Sequence, residues 1–243
     1  MEAAMRGIQV VLTDANAQMA AAWRERFDDP DIVVHERSLL DATSDAWVVP
    51  VGPDGAMDRG VASTVATFLG PSVPAALSKT VAEQGGAIPH GRALCLTTGK
   101  RTPRFLIAVA LPDGADAEAV ARATGAALLT VELRNGVDPG AIRSVALPRL
   151  AAPSLTPQAC AHLMWLAHDV LKAHRIIDFS SLERAIRERT HAHQGSTTPA
   201  APRANRKRRG SRPTLPDHAA AQAQLQKRLA QLRDEESRRD DED

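Results

Sequence analysis

Tyrosine is absent from this chain, and phenylalanine and tryptophan together make up only 3% of its 243 residues. A core must therefore be packed from alanine, valine, leucine and isoleucine, which an apolar content of 44% allows. Cysteine occurs twice, at Cys95 and Cys160, too few for a disulfide framework. Both are expected to be small buried hydrophobes. No uninterrupted apolar run approaches the length of a membrane-spanning helix. The opening MEAAMRGIQVVLTD lacks the basic region, long apolar stretch and cleavage signal of a secretory leader. These absences predict a cytoplasmic protein with no membrane partner. Net charge is nearly missing as well, at +1 from 30 basic and 29 acidic residues. The whole molecule is not a polybasic nucleic-acid binder.

What is present is an alternation of short β-branched runs with helical spacings. Gly7–Leu12 reads as a strand. A helix follows, capped by Asn16, with Met19, Ala22, Trp23 and Phe27 at spacings of three and four. Ile32–His35 and Ala46–Val51 are the next strands. Val61, Val65 and Phe68-Leu69 form a helical stripe closed by Gly70-Pro71, and a second helix runs from about Val73 to Glu83. Ala93–Thr97 and Phe105–Ala110 are strands joined by the turn Gly99–Pro103. Asp116 starts a helix, Ile142–Leu147 is a strand, and Thr156–His174 is a long amphipathic helix with Pro157 at its first position. This order predicts a three-layer α/β/α fold around a mixed, mostly parallel sheet covered on both faces.

From Gln194 the composition changes. Residues 194–216 are rich in Pro, Ser, Thr and basic side chains, and are expected to form a disordered linker. Arg203–Arg212 holds six positive charges, and Asp234–Asp243 holds seven acidic and two basic residues. Between them lies a Leu225, Leu229, Leu232 stripe, a marginal helix within 217–243. The tail after Gln194 has 11 basic and 8 acidic residues, leaving 30 − 11 = 19 basic and 29 − 8 = 21 acidic before it. The expected domain, 1–193, is mildly acidic, so any polyanion binding is assigned to the tail.

In such a fold, ligands bind beyond the carboxyl ends of the strands, which draws attention to DAWVVPVGPDGAMDRGV, residues 45–61. Here a strand, a Pro- and Gly-rich loop and a helix start follow one another, and backbone N–H groups at a helix start suit anions. The loop has no Ser, Cys, His or Lys; its charged side chains are Asp54, Asp58 and Arg59. Arg geometry suits a diphosphate, while pairing of Arg59 with Asp58 in solvent is the plainer reading. Asp54 beside Pro and Gly is equally accounted for by turn chemistry. His162, His168 and His174 are six apart on one helix, each rotated about 240° from the last, so they share no metal face. His191-x-His193 lacks a partner set. No metal site, cofactor or catalytic residue is expected.

Taken in order, DAWVVPVGPDGAMDRGVASTV, PHGRALCLTTG and RSVALPRLAAPSLTPQACAHLMWLAHDVL are similar to three successive segments of macrodomains, the α/β/α domains that bind ADP-ribose and related nucleotides. The resemblance covers Gly7 to His174. It implies one cleft wall from Gly52, Asp54, Gly55, Met57, Asp58, Arg59, Gly60 and Val61, and a second from Leu150, Ala151 and Ala152. The chain departs from the family in both loops. Val49 and Gly52 stand where ribose-orienting asparagines are expected, Asp58-Arg59-Gly60 stands for a Gly-Gly-Gly or Asp-Gly-Gly stretch and keeps one of its final two glycines, and Ala151-Ala152-Pro153-Ser154 replaces Gly-x-Gly. The acidic residue that reads adenine is matched by Glu36 or Ser38. The resemblance therefore implies an ADP-ribose-type binder, non-catalytic or weakly catalytic. The alternatives are a scaffold whose tail, through 203–233, engages protein or nucleic acid, and an ADP-ribosyl hydrolase.

Overall fold

The computed structural model describes residues 7–111, 115–150, 155–174 and 176–196, the last five of these by backbone alone. In chain order the elements are β1 (Gln9–Thr13), α1 (Ala17–Arg26), β2 (Ile32–His35), a 3-10 turn (Leu39–Asp41), β3 (Ala46–Val51), α2 (Gly60–Leu69), α3 (Ser72–Glu83), β4 (Ala93–Thr97), β5 (Phe105–Ala110), α4 (Ala117–Val137), β6 (Ser144–Pro148), α5 (Pro157–Ala173) and α6 (Phe179–Ser196). The six strands form one sheet in the order β2-β1-β6-β3-β5-β4. All neighbours run parallel except the β4–β5 hairpin at the edge. This is the mixed, mostly parallel sheet that the alternating pattern predicts.

Period-2 alternation divides the core into two layers. Val10, Leu12, Val48, Ile107, Val109, Val145 and Leu147 face α1, α4, α5 and α6, while Val11, Trp47, Val49, Leu106 and Ala108 face α2, α3 and the 3-10 turn. Strands buried on both faces read as continuous apolar runs, and β5 is buried at all six positions. The scarcity of aromatics is offset by Trp23 and Trp47, each fully buried on opposite sides of the sheet.

Local chemistry fixes the helix starts. Asn16 Oδ1 accepts from the amides of Gln18 and Met19, Asp116 Oδ1 from Ala119, and Thr156 Oγ1 from Ala159. β6 begins two residues later than the apolar run suggests. The amide and carbonyl of Ile142 are held by the Asn135 side chain at 2.9 and 2.8 Å instead of by a strand. Helix α6 is the element that the sequence reading did not anticipate, and its backbone continues to Ser196, past Gln194. Its signals are Asp178, whose carboxylate accepts from the Ser181 amide and hydroxyl, and a Leu182/Ile186 pair one turn apart. Those two side chains seat against Gly125 of α4, where a Cβ would lie 2.8 Å from Ile186 Cδ1. Gly125 thus permits the close approach of α4 and α6.

Beneath the sheet's amino-terminal edge, His168 of α5 is only 5% exposed, with Phe27 edge-on at 6.0 Å. Its Nε2 lies 3.7 Å from Asp29 Oδ2, the same oxygen that Lys172 Nζ contacts at 2.6 Å. Burial holds the His168 pKa below its ordinary value, outweighing the pull of the Asp29 charge. At Asp29, burial pushes the carboxyl up but is outweighed by the Lys172 and Asp31 hydrogen bonds and nearby cations, so its pKa is lowered. The unfolded chain therefore takes up a proton at position 168 before the folded one does. The stability this supplies is present above the unfolded value near 6.5 and declines as pH falls below it. Urea unfolding at about pH 7.5 and about pH 5.5 should show a smaller acid loss in His168→Phe than in the wild type. Equal losses would place the acid sensitivity elsewhere.

Candidate functional site

The sheet opens on one side of β3. Along β3–β5 the ladder runs through six pairs, Ala46↔Phe105 to Val51↔Ala110, and β1–β6 pairs through five, to Thr13↔Pro148. Between β3 and β6 it holds only Ala46↔Val145 and Trp47↔Ala146, at the beginning of both strands. The two strands are joined at their amino-terminal ends and their ladder stops short of their carboxyl ends. Two prolines supply the reason: Pro148, an even-numbered residue of β6 that faces β3, has no N–H for the Val48 carbonyl, and Pro50 follows on β3. The carbonyls of Asp45 and Val51 accept from Phe105 and Leu111 across the β5 side. Odd-numbered residues of β3 therefore point their backbone groups at β5, and even-numbered ones at β6. Pro50 presents a nitrogen without hydrogen to β6, and proline cannot extend a ladder on that side.

This opening coincides with the switch in strand order. From β1 the chain moves outward to β2, and from β3 outward to β4 and back to β5, while β6 returns between β1 and β3. The carboxyl ends of β1, β6 and β3 are where the loops diverge to opposite faces, the place where open α/β sheets hold ligands.

The first predicted wall is a rigid, self-bonded loop. Gly52 N donates to Ala56 O at 3.2 Å, Gly55 N to Gly52 O at 2.9 Å and Ile88 N to Pro53 O at 2.7 Å. Asp54 Oδ1 accepts from Ala56 N at 3.0 Å, so this carboxylate serves the turn. Gly55 has φ +79° and lies against α3, and Met57 is buried at 8% exposure. Asp58 and Arg59 are exposed and paired, with Arg59 Nε 3.5 Å from Asp58 Oδ1. Arg59 is the N-cap of α2 and provides no side-chain cap. Gly60 follows with φ +54°, and a Cβ there would meet nothing within 4 Å. Val61 is half-buried behind it. The first turn of α2 thus presents backbone amides without a capping oxygen, beside an arginine.

On the second side, Leu150 is fully buried and its carbonyl accepts from the Cys160 thiol at 3.3 Å. Ala151 and Ala152, with Pro153 and Ser154, lie outside the described residues. So do the basic run Arg203–Arg212 and the Leu225–Leu232 stripe. Sequence reasoning missed Arg149. Its Nη2 donates to Leu155 O at 2.8 Å, tying together the residues that flank positions 151–154, and its Nε is buried without a hydrogen-bond partner among the described residues. Cys160 is fully buried, and burial pushes its thiol pKa up to about 11 against the pull of Arg149, which makes it an inert packing residue. Of the two residues matched to an adenine reader, Glu36 lies 3.9 Å from Arg24 and Ser38 Oγ caps the 3-10 turn through Leu40 N. Among the described residues, no group of three His, Cys, Asp or Glu side chains is placed to hold a metal ion, and no single helix is long and apolar enough to cross a membrane.

With this geometry in hand, the chain is similar in architecture to solved macrodomains. The macrodomain of Mycobacterium tuberculosis DarG is 21% identical, over 55% of this chain and 87% of that one, with a TM-score of 0.46. An Oceanobacillus iheyensis macrodomain variant determined with ADPR is 12% identical, over 80% of this chain and 98% of that one, with a TM-score of 0.49. A Trypanosoma brucei macrodomain is 13% identical, over 62% and 63%, with a TM-score of 0.43. No protein-family model and no curated protein matches the chain. At these identities and scores, function has to come from the chain's own geometry.

Proposed function

We propose that the opening between β3 and β6 is a cleft for an ADP-ribose-type nucleotide. The observation that supports this best is the coincidence of three features at one place. The β3–β6 ladder ends after Trp47↔Ala146, the switch in strand order falls there, and the uncapped start of α2 follows directly from β3 through the bonded 52–56 turn. In this reading the amides at Gly60 and Val61 hold a phosphate oxygen, and the helix dipole favours its charge. Arg59 exchanges its exposed contact with Asp58 for a phosphate, while the missing Cβ of Gly60 lets the ligand approach. Leu150 stands on the opposite side. One solved Oceanobacillus iheyensis macrodomain was determined with ADP and another with ADPR.

Binding ranks above hydrolysis of ADP-ribosyl bonds. The carboxylate best placed on the loop, Asp54, is engaged by the Ala56 amide. Val49, at a position where a ribose-orienting asparagine would stand, is fully buried in the sheet. Calorimetric titration of the full chain with ADP-ribose, with AMP and NAD as controls, tests the reading. Saturable binding that prefers ADP-ribose is expected. Arg59→Ala should weaken it by about 10- to 100-fold, the value of one charge-assisted hydrogen-bonding group. Absence of heat at millimolar ligand would overturn the reading.

A further inference from the structure

A near-neutral total conceals a segregation of charge that only the fold creates. About half of the described cations are ion-paired: Arg24, Arg59, Lys79, Arg122, Arg134, Lys172, Arg187 and Arg189 each lie within 4.0 Å of a carboxylate, while Arg26, Arg37, Arg92, Arg149 and Arg184 are scattered cations without one among the described residues. Lys100, Arg101, Arg104 and Arg143 have no such partner among the described residues, and all four are exposed. They come from two loops far apart in sequence, the β4–β5 hairpin and the α4–β6 connection. The sheet brings both loops to the amino-terminal ends of β5 and β6.

The grouping is held in place. Arg104 Nη1 donates to the Ala141 carbonyl at 3.5 Å, bridging the two loops. The guanidinium groups of Arg104 and Arg134 lie 5.4 and 5.2 Å from the centroid of the Phe105 ring, which is itself buried. Two acids lie beside this group: Asp138, which is paired with Arg134 at 3.4 Å, and Asp45, which is turned inward. Asp45 Oδ2 accepts from the amides of Arg143 and Ser144 and from the Ser144 hydroxyl, leaving its charge already shared among three donors. On the hairpin, the Lys100 amide donates to Thr98 Oγ1, so the loop that carries Lys100 and Arg101 is pinned at its base.

We infer that this basic pole is a docking surface for the phosphate backbone of a nucleic acid strand. A phosphodiester chain offers one charge per nucleotide and several acceptor oxygens, and three of the four cations are forked guanidinium donors suited to phosphate. The surface lies at the edge of the sheet opposite the nucleotide cleft, about 20 Å away along a six-residue strand, so it does not depend on that reading. Polyanion binding, assigned by composition to the tail alone, has a second seat on the folded domain.

Fluorescence anisotropy of the full chain with a labelled 30-nucleotide single strand and the matching duplex, across a potassium chloride series, tests this. Lys100→Gln, Arg101→Gln and Arg143→Gln are combined in one variant, and Arg104 is kept because it bridges the loops. The slope of log affinity against log salt should fall by about 2 to 3, at 0.7–0.9 per phosphate contact, with affinity at low salt down by about tenfold or more. A lysine version of the same three positions should restore most of the slope. A second variant with glutamine at Arg203, Arg206, Lys207, Arg208, Arg209 and Arg212 separates the tail. An unchanged slope in the pole variant, or loss of all binding in the tail variant alone, would overturn the inference. Binding of an acidic polypeptide but of neither oligonucleotide would overturn it as well.

Discussion

Asp45→Ala is expected to lower the unfolding free energy by about 2–4 kcal/mol, because three donors lose one charged acceptor. Asp45 stands immediately before β3, and its carboxylate bonds the amides of Arg143 and Ser144 at 2.8 and 3.1 Å and the Ser144 hydroxyl at 3.3 Å. Its own amide donates to Ser144 Oγ at 3.0 Å. These bonds close a separation of 98 or 99 residues beside the only two ladder pairs that join β3 to β6. Among the described residues, no other side-chain hydrogen bond joins β3 to β6 at that closed end. Asparagine at the same position keeps an acceptor oxygen of the same reach without the charge, and should lose about half as much. Denaturant unfolding monitored by Trp47, which is fully buried on β3, reads both variants. A loss for Asp45→Ala under about 0.5 kcal/mol, the range of an ordinary surface change, would mean that the seam is held by apolar packing alone.

Gly55→Ala should be the more damaging change within the predicted wall. Gly55 has φ +79°, where a Cβ adds about 1–2 kcal/mol of backbone strain. That Cβ would also lie 2.9 Å from Val81 Cγ2 and 3.4 Å from Leu77 Cγ, both on the buried face of α3. Overpacking of this kind typically adds about 1–3 kcal/mol, giving a total of about 2–5 kcal/mol. Gly86→Ala is the matched control, since Gly86 has φ +84° with nothing within 4 Å of its Cβ position. It should lose only the backbone part, about 1–2 kcal/mol. Thermal unfolding of the pair separates the two contributions, and equal losses would show that the loop does not pack tightly against α3. Because the 52–56 turn aims the chain into α2, displacing Gly55 should also weaken the proposed nucleotide binding at Gly60.

Much of the fold is legible in the residues because its signals are local. Ala46–Val51, Ala93–Thr97 and Phe105–Ala110 are strands over their predicted ranges, and Asn16, Asp116 and Thr156 cap the helices they were expected to start. Each depends on a few neighbouring side chains and backbone groups. Helix α6 escaped notice because its charged face resembles the polar segment that follows, and its stripe is only Leu182 and Ile186. What makes it a helix of the domain is Gly125 on α4, 57 residues before Leu182, and that pairing is invisible along the chain.

The candidate site divides in the same way. The sequence by itself determined the strand–loop–helix at 46–69, the turn role open to Asp54 and the apolar faces of the sheet, because periodicity and turn chemistry act over a few residues. It also contained Pro50, whose meaning depended on which neighbour it faced. Only the tertiary structure decided that β6 lies between β1 and β3, that Pro50 points at β6, and that the β3–β6 ladder ends after two pairs. Only the tertiary structure gathered Lys100, Arg101, Arg104 and Arg143 at one pole of a nearly neutral domain. Strand order and charge placement follow from pairings across about 100 residues, where free energy is won by burying two faces of a sheet at once, and no local pattern encodes which strands meet.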